Sequence, residues 1–111
     1  MYERKIAPDL DCGVTITQLV IGGKWKPYLI KYIKRGYHRP AELQTVIPDA
    51  TKRVLTQQLG EMERTGLVER RVFAEVPLRV EYHLTPLGES LIPVIQAMSQ
   101  WGEEHRYLFD G

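Results

Sequence analysis

The chain has 111 residues, the size of one modest domain; 43% of them are hydrophobic and 26% are charged. These proportions are typical of an ordinary soluble globular protein. No apolar run approaches membrane-spanning length, and the N-terminus lacks the apolar stretch of a signal peptide. We therefore expect a single domain over residues 1–111 with no membrane association. The single cysteine excludes an intrachain disulfide and suits a reducing cytoplasm.

The charges are unevenly distributed, although their sum is only +1. Residues 24–39 hold six cationic side chains and no acidic one, whereas residues 80–111 hold five acids and one base, not counting histidine. Such a division can orient a protein on a polyanion while the total charge stays low. The alternative interpretation is that these charges are simply solvated on helix surfaces.

Three helices are predicted in the first half of the chain. The first runs from about Gly13 to Ile21, and Gly22-Gly23 ends it because glycine readily adopts the left-handed conformation of a helix cap. The second begins near Pro27, which a first helical turn tolerates, and stops at Gly36. The third covers Pro40 to Val46, with its apolar residues directed inward.

A fourth helix, from about Thr51 to Arg64, has two chemically distinct sides. Apolar residues recur on one side at spacings of four and three, and polar or cationic residues occupy the other. With the third helix it forms a candidate helix-turn-helix, whose second helix enters the major groove of DNA. Arginine can bond guanine, glutamine can bond adenine, and threonine and lysine can hold phosphates or bases. The predicted DNA contacts are Thr51, Lys52, Arg53, Thr56 and Gln57. The alternative is a polar face that only meets water.

Two short strands follow, Val68 to Ala74 and Arg79 to Leu84, joined by a turn that contains Pro77. They predict a hairpin, or wing, over about residues 68–84, which could otherwise be an ordinary hairpin covering the core. Arg79 at the turn is a candidate contact to the DNA backbone or minor groove. Helices followed by such a hairpin predict a mainly α fold with a small β-hairpin (α+β), the winged helix-turn-helix. Further candidate phosphate contacts are Lys24, Lys26 and Arg39.

One last helix is predicted over about residues 86–108, because a threonine cap followed by Pro86 marks a helix start. Pro93 should kink this helix near Glu89, since one backbone hydrogen bond is lost. The apolar stripe of the helix is longer and broader than one small domain needs, so we expect a second chain to pack against it. The candidate dimer-interface residues are Ile16, Leu91, Val94, Met98, Trp101 and Leu108.

No catalytic or metal-binding pattern is present in the sequence. His38, His83 and His105 lack the spacing of a metal site. We expect His83 to face solvent and His105 to lie on the apolar stripe of the last helix. Without a nucleophile–base pair, a phosphate loop or paired carboxylates, the sequence predicts neither an enzyme nor a cofactor.

Five segments within about residues 12 to 102 carry a specific resemblance to a known family. They are Cys12-Gly13-Val14, Ile21 to Trp25, Leu55 to Leu59, Gly66 to Arg70, and Glu75 to Thr85. With these segments the chain resembles the HxlR family of bacterial transcriptional regulators, relatives of the MarR-type winged helices.

The resemblance implies a homodimeric, sequence-specific DNA-binding regulator. Its recognition helix would be Thr51 to Arg64, its wing Val72 to Val80, and its dimerisation helices about residues 13–21 and 86–108. We expect such a dimer to bind double-stranded DNA at a palindromic operator, with recognition helices in successive major grooves roughly 34 Å apart. The alternative from another class is a winged-helix module that binds protein and has no DNA target.

Some members of the family sense oxidants or electrophiles through a cysteine in the position of Cys12. A thiol in the first turn of a helix can have a lowered pKa, because unpaired N–H groups favour the thiolate, whereas Asp9 and Asp11 act in the opposite direction. The alternative is a small buried residue at a dimer interface. As the only cysteine, Cys12 could form only an intersubunit bond or a mixed disulfide with a small thiol.

Overall fold

The computed structural model describes residues 10–110, so the opposing charge expected from Asp9 lies outside the described residues. Within them the chain forms six α-helices, a 3-10 helix and one two-stranded antiparallel sheet. This order confirms the predicted mainly α fold with a β-hairpin wing. In chain order the elements are α1 (Gly13–Ile21), α2 (Lys26–Lys34), α3 (Pro40–Val46), α4 (Lys52–Thr65), β1 (Val68–Phe73), β2 (Arg79–Leu84), α5 (Pro86–Glu89), α6 (Ile92–Glu104) and the 3-10 helix Arg106–Phe109.

The hydrophobic core lies where α2, α3 and α4 meet the base of the hairpin. Leu55, Leu59 and Met62 of α4 are completely buried in it. Their spacing of four and three places them on one side of the helix, so burying them turns the opposite side outward. Each such side chain contributes about 1.5–3 kcal/mol on burial, which makes this orientation of α4 strongly preferred.

The hairpin is anchored at its base and exposed at its far end. Val68 pairs with Leu84, and Val68 is buried near the start of β1. On the other edge of β2, the backbone N–H of the buried Tyr82 donates to the His38 carbonyl at 2.8 Å. Val76 in the connecting turn is fully exposed. The wing therefore projects from a fixed base.

The structure divides the region predicted as one kinked helix into three pieces. The helix is interrupted after Glu89, near the position where a kink was expected: Ser90 and Leu91 form a turn, and Pro93 lies in the first turn of α6. A side chain at Gly88 would place Cβ 2.2 Å from the Leu67 carbonyl oxygen, so α5 is held tightly against the start of the hairpin. Beyond Glu104 the chain tightens into the 3-10 helix.

Helix α1 is apolar in sequence yet has no buried residue. Only Val20 and Ile21, at its C-terminal end, pack partly against the core. None of the helices in residues 10–110 combines the length and apolar character that crossing a membrane requires.

Candidate nucleic-acid interface

The outward side of α4 carries the polar residues predicted to meet DNA. Lys52, Arg53, Thr56 and Gln57 are all exposed. Thr51 immediately precedes the helix and caps it, because its Oγ1 accepts a hydrogen bond from the Val54 N–H at 3.1 Å. The Thr51 hydroxyl can still donate its own proton to a phosphate or a base.

The cationic charge on this face is not neutralised by the protein. Among the described residues neither Lys52 nor Arg53 takes part in an ion pair. The first turn of α4 also contains no acidic residue. Its unpaired backbone N–H groups and the two cations therefore create a positive helix end suited to an anion.

Arg79 lies at the start of β2, directly across the hairpin from Phe73. Its guanidinium sits 4.0 Å from the centre of the Phe73 ring and pairs with Glu75 at 3.0 Å and Glu81 at 3.6 Å. Its side chain is only 28% exposed. Arg79 would have to release a carboxylate to reach a phosphate, so its predicted DNA contact stays a prediction.

Two further arginines lie on the exposed part of the wing. Arg71 pairs with Glu69 at 3.4 Å, whereas Arg70 joins no ion pair within residues 10–110. The sequence placed Arg70 in the first strand of the hairpin, but Arg70 was not among the predicted DNA contacts. Whether the Arg70 guanidinium is free to bind an anion depends on which carboxylates the folded hairpin brings close to it.

Of the three other candidate phosphate contacts, two are exposed and one is not. The Lys24 ammonium lies 5.0 Å from the Trp25 ring centre, and Arg39 precedes α3, where its N–H donates to the Glu42 carboxylate at 3.1 Å. Lys26, by contrast, is only 6% exposed and forms an ion pair with Glu61 at 2.8 Å. The prediction that Lys26 meets phosphate is therefore wrong for this conformation.

Gln58 and Glu61, which are half-buried, contact the end of the α1–α2 turn and the start of α2. The Gln58 side-chain oxygen accepts a hydrogen bond from the Trp25 N–H at 3.0 Å. The hydrogen bond and the charge of Lys26 lower the pKa of the Glu61 carboxyl. The helical spacing of α4 did not predict these two contacts, because Trp25 and Lys26 are distant from Gln58 and Glu61 in the sequence.

Cys12 immediately precedes α1 and is half-buried. Its thiol makes no capping hydrogen bond of standard geometry. The backbone N–H groups of Thr15 and Val14 nevertheless lower the pKa of the thiol, with a smaller contribution from the Thr15 hydroxyl. The direction agrees with the shift expected for a thiol at the start of a helix.

Most candidate dimer-interface residues are exposed in the single chain. Ile16 is 47% and Trp101 58% exposed, and Trp101 stacks on His105 with ring centres 4.1 Å apart. Leu91 is the exception, because it is half-buried against the chain's own core. A broad groove between α2 and the end of α6 is lined by apolar residues that include Tyr28, Ile95, Met98, Trp101, Leu108 and Phe109.

The histidines form contacts that the sequence did not predict. His83 is half-buried rather than solvent-facing: its ring stacks on His38 with centres 3.9 Å apart, and its Nε2 lies 2.8 Å from the Glu81 carboxylate. The hydrogen bond from His83 lowers the pKa of Glu81. Within residues 10–110 no three His, Cys, Asp or Glu side chains are grouped as a metal site would require.

Proteins of similar sequence are regulators of transcription. The chain is 46% identical over 91 residues to the uncharacterised HTH-type transcriptional regulator YkvN of Bacillus subtilis (strain 168), covering 82% of this chain and 77% of YkvN. It is 43% identical over 116 residues to a second such regulator of that organism, YdeP, covering 99% of this chain and 91% of YdeP.

Solved structures give the same result. The redox regulator HypR in its reduced form superposes with a TM-score of 0.83 at 41% identity, covering 89% of this chain and 98% of HypR. The model of the HxlR-like helix-turn-helix family matches residues 20–108, which span α2, α3, α4, the wing and the C-terminal helices. The exposed face of α4, the hairpin beside it and these likenesses agree: the chain belongs to the HxlR-like helix-turn-helix family of DNA-binding transcriptional regulators.

Proposed function

We propose that this protein acts as a homodimer that binds a palindromic operator in double-stranded DNA. The observation that carries the proposal is the outward face of α4, where Arg53 and Lys52 are exposed without an ion-pair partner in residues 10–110, beside an exposed wing. The proposed activity is binding without catalysis or a cofactor, and the proposed compartment is the cytoplasm.

In this proposal the N-terminal half of α4 enters the major groove. Arg53 is suited to a guanine, since a guanidinium can donate two hydrogen bonds to its O6 and N7 atoms, and Gln57 is suited to an adenine. Lys52, Thr51 and Thr56 would hold phosphates or neighbouring bases. Flanking phosphates would be met by Lys24 and Arg39, and the backbone or minor groove by Arg79 once it exchanges a carboxylate for DNA.

Dimerisation is supported by the apolar surface that α1 and α6 leave uncovered. An apolar helix without buried residues is costly in water, and a second copy would cover it. Ile16, Val94, Met98, Trp101 and Leu108 would lie in the interface, with Leu91 supporting it from the core. Two-fold symmetry of the dimer would require the same symmetry in the operator.

We further propose that Cys12 makes DNA binding responsive to oxidants. HypR is a redox regulator solved in reduced and oxidised forms, and YodB of B. subtilis, 31% identical, was solved after diamide treatment. A peroxide would oxidise the Cys12 thiolate to a sulfenic acid. Condensation with Cys12 of the second protomer or with a small thiol would form a disulfide and release water.

The DNA proposal is tested by titration with two duplexes at two salt concentrations. One duplex is recovered by in vitro selection from random sequences, and the other is its scrambled version. We expect selective binding of the first duplex, with affinity falling steeply as salt rises, because bound phosphates release counterions. Equal, weak binding of both duplexes would instead favour the protein-binding module.

The redox proposal is tested by comparing wild type with Cys12→Ser before and after treatment with hydrogen peroxide. Wild-type binding to the selected duplex should change on oxidation and return with dithiothreitol, while Cys12→Ser should not respond. Non-reducing electrophoresis distinguishes the intersubunit bond from a mixed disulfide. Identical responses of the two proteins would eliminate Cys12 as the sensor.

A further inference from the structure

Two polar contacts join one side of α4 to the end of the turn between α1 and α2 and to the first residue of α2. The Gln58 side-chain oxygen accepts the Trp25 N–H at 3.0 Å, and the Glu61 carboxylate pairs with the Lys26 ammonium at 2.8 Å. We call these four residues the polar clasp. Gln58 and Glu61 are three residues apart on α4, so both contacts come from one side of the helix, about 4.5 Å apart along its axis.

The α1–α2 turn has a backbone conformation that fits this clasp closely. Gly23 has φ +119°, a conformation that side chains other than glycine rarely adopt. A Cβ at Gly23 would lie 3.3 Å from the side chains of both Gln58 and Lys26. The turn thus lies directly against both sides of the clasp.

Breaking either contact of the clasp would raise the free energy of the folded state. Lys26 is buried, so removing its carboxylate partner would leave an uncompensated charge. Removing the Gln58 acceptor would leave the partly buried Trp25 N–H at the start of α2 without its partner. Such contacts are directional, whereas the apolar contacts of Leu55, Leu59 and Met62 tolerate a small rotation of the helix about its axis.

We propose that the polar clasp is a positioning device that sets the rotation of the recognition helix relative to the α1–α2 turn. Gln58 and Glu61 are its positioning residues, and neither contacts DNA. Gln58 follows Gln57 directly, so a helix rotation that strains the clasp also displaces the base-reading face. The inference rests on the proposed DNA-binding function and adds two specificity-determining residues on the side of α4 that adjoins the base-reading face.

The clasp also connects α1 to the DNA-reading face. Cys12 begins α1, the Gly22-Gly23 turn ends it, and the body of α1 has no buried residue to hold it in place. A displacement of α1 would therefore act on α4 through the turn and the clasp. This provides a physical route from the thiol to the operator.

Glu61→Gln tests the clasp, with Glu63→Gln as its matched control. Both substitutions remove one negative charge from α4, but Glu63 is exposed and joins no ion pair in the described residues. Wild type and both variants are titrated with the selected and scrambled duplexes, well below their unfolding temperatures. We expect Glu61→Gln to lower the ratio of selected to scrambled affinity about tenfold, a usual size for coupling between sites, and Glu63→Gln to leave the ratio unchanged.

Gln58→Met is the second variant, because it keeps the length of the side chain and removes the acceptor without changing charge. It should lower the same ratio while leaving scrambled binding unchanged, and it carries the test if Glu61→Gln fails to fold. Folded variants that retain the wild-type ratio would overturn the clasp and leave the proposed function standing. A wild-type protein without selectivity would overturn both.

Discussion

Cys12 shows how a single residue acquires its chemistry from the backbone around it. The N–H groups of Thr15 and Val14 favour the thiolate and lower the pKa of the thiol below its ordinary range. The folded chain therefore holds the thiolate more readily than the unfolded chain does. The resulting stabilisation is complete above the ordinary thiol pKa and is lost as pH falls through the lowered value.

We predict that Cys12 is alkylated by iodoacetamide at lower pH than an ordinary thiol. The pH profile of the rate should have its midpoint below that of the same protein unfolded in urea, since only the thiolate reacts. Thr15→Val should move the midpoint part of the way back. Thr17→Val is the control, because its hydroxyl donates to the Gly13 carbonyl instead. Equal midpoints for folded and unfolded protein would contradict the prediction.

We predict that base reading depends most on Arg53. For Arg53→Ala we expect a loss of about 1–3 kcal/mol in binding the selected duplex, with little change on the scrambled one. Arg64→Ala removes the same charge from the far end of α4 and serves as the control. An equal loss on every sequence, measured by fluorescence anisotropy, would show that Arg53 contacts phosphate rather than a base.

At the scale of the element, α4 combines three separate tasks on three sides. Leu55 and Leu59 anchor it in the core, Gln58 joins it to the α1–α2 turn, and Arg53 and Gln57 face outward. The sequence predicted the first and third sides from helical periodicity. It did not predict the second, since no local pattern indicates that Gln58 meets a backbone N–H so distant in the chain.

Thr51 determines where α4 begins. Thr51→Ala removes the oxygen that accepts the Val54 N–H, so we expect the free energy of unfolding to fall by about 1 kcal/mol. Thr51→Ser retains a capping hydroxyl and should keep most of the stability. Urea unfolding monitored by circular dichroism measures both. Equal losses in the two variants would mean that the cap does not stabilise α4.

At the scale of the whole molecule, residues 10–110 leave an apolar surface uncovered and a cationic face without ion-pair partners. The first surface is formed by α1, α6 and the 3-10 helix, and the second by α4. A regulator that dimerises through the apolar surface and binds DNA through the cationic face of α4 needs a rigid structural connection between the two surfaces. The polar clasp supplies part of that connection.

Trp101→Gln tests the uncovered apolar surface. We expect dimer dissociation in sedimentation experiments to become easier by about 2 kcal/mol or more, because aromatic residues in an interface often contribute this much. Val76→Gln is the control, since Val76 is exposed in the wing turn, away from this surface. Unchanged dimerisation in Trp101→Gln would contradict the proposed interface.

The sequence by itself determined the elements whose ends are marked locally. It predicted α1, α3 and β2 with the bounds that the structure has, because glycine, proline and alternating apolar residues act on the nearest few residues. It also determined the family, since the resembling segments span nearly the whole chain.

Only the tertiary structure decided which charged groups are free. Lys26 and Arg53 are equivalent cations in sequence, yet Lys26 is buried against Glu61, whereas Arg53 is exposed and joins no ion pair in the part of the chain that the structure describes. The close approach of Gly88 to the Leu67 carbonyl, just before the break after Glu89, likewise joins residues that are distant in the chain. Ion pairs and close packing contacts join residues that are distant in the chain. They form only when the chain folds, so local sequence patterns do not predict them.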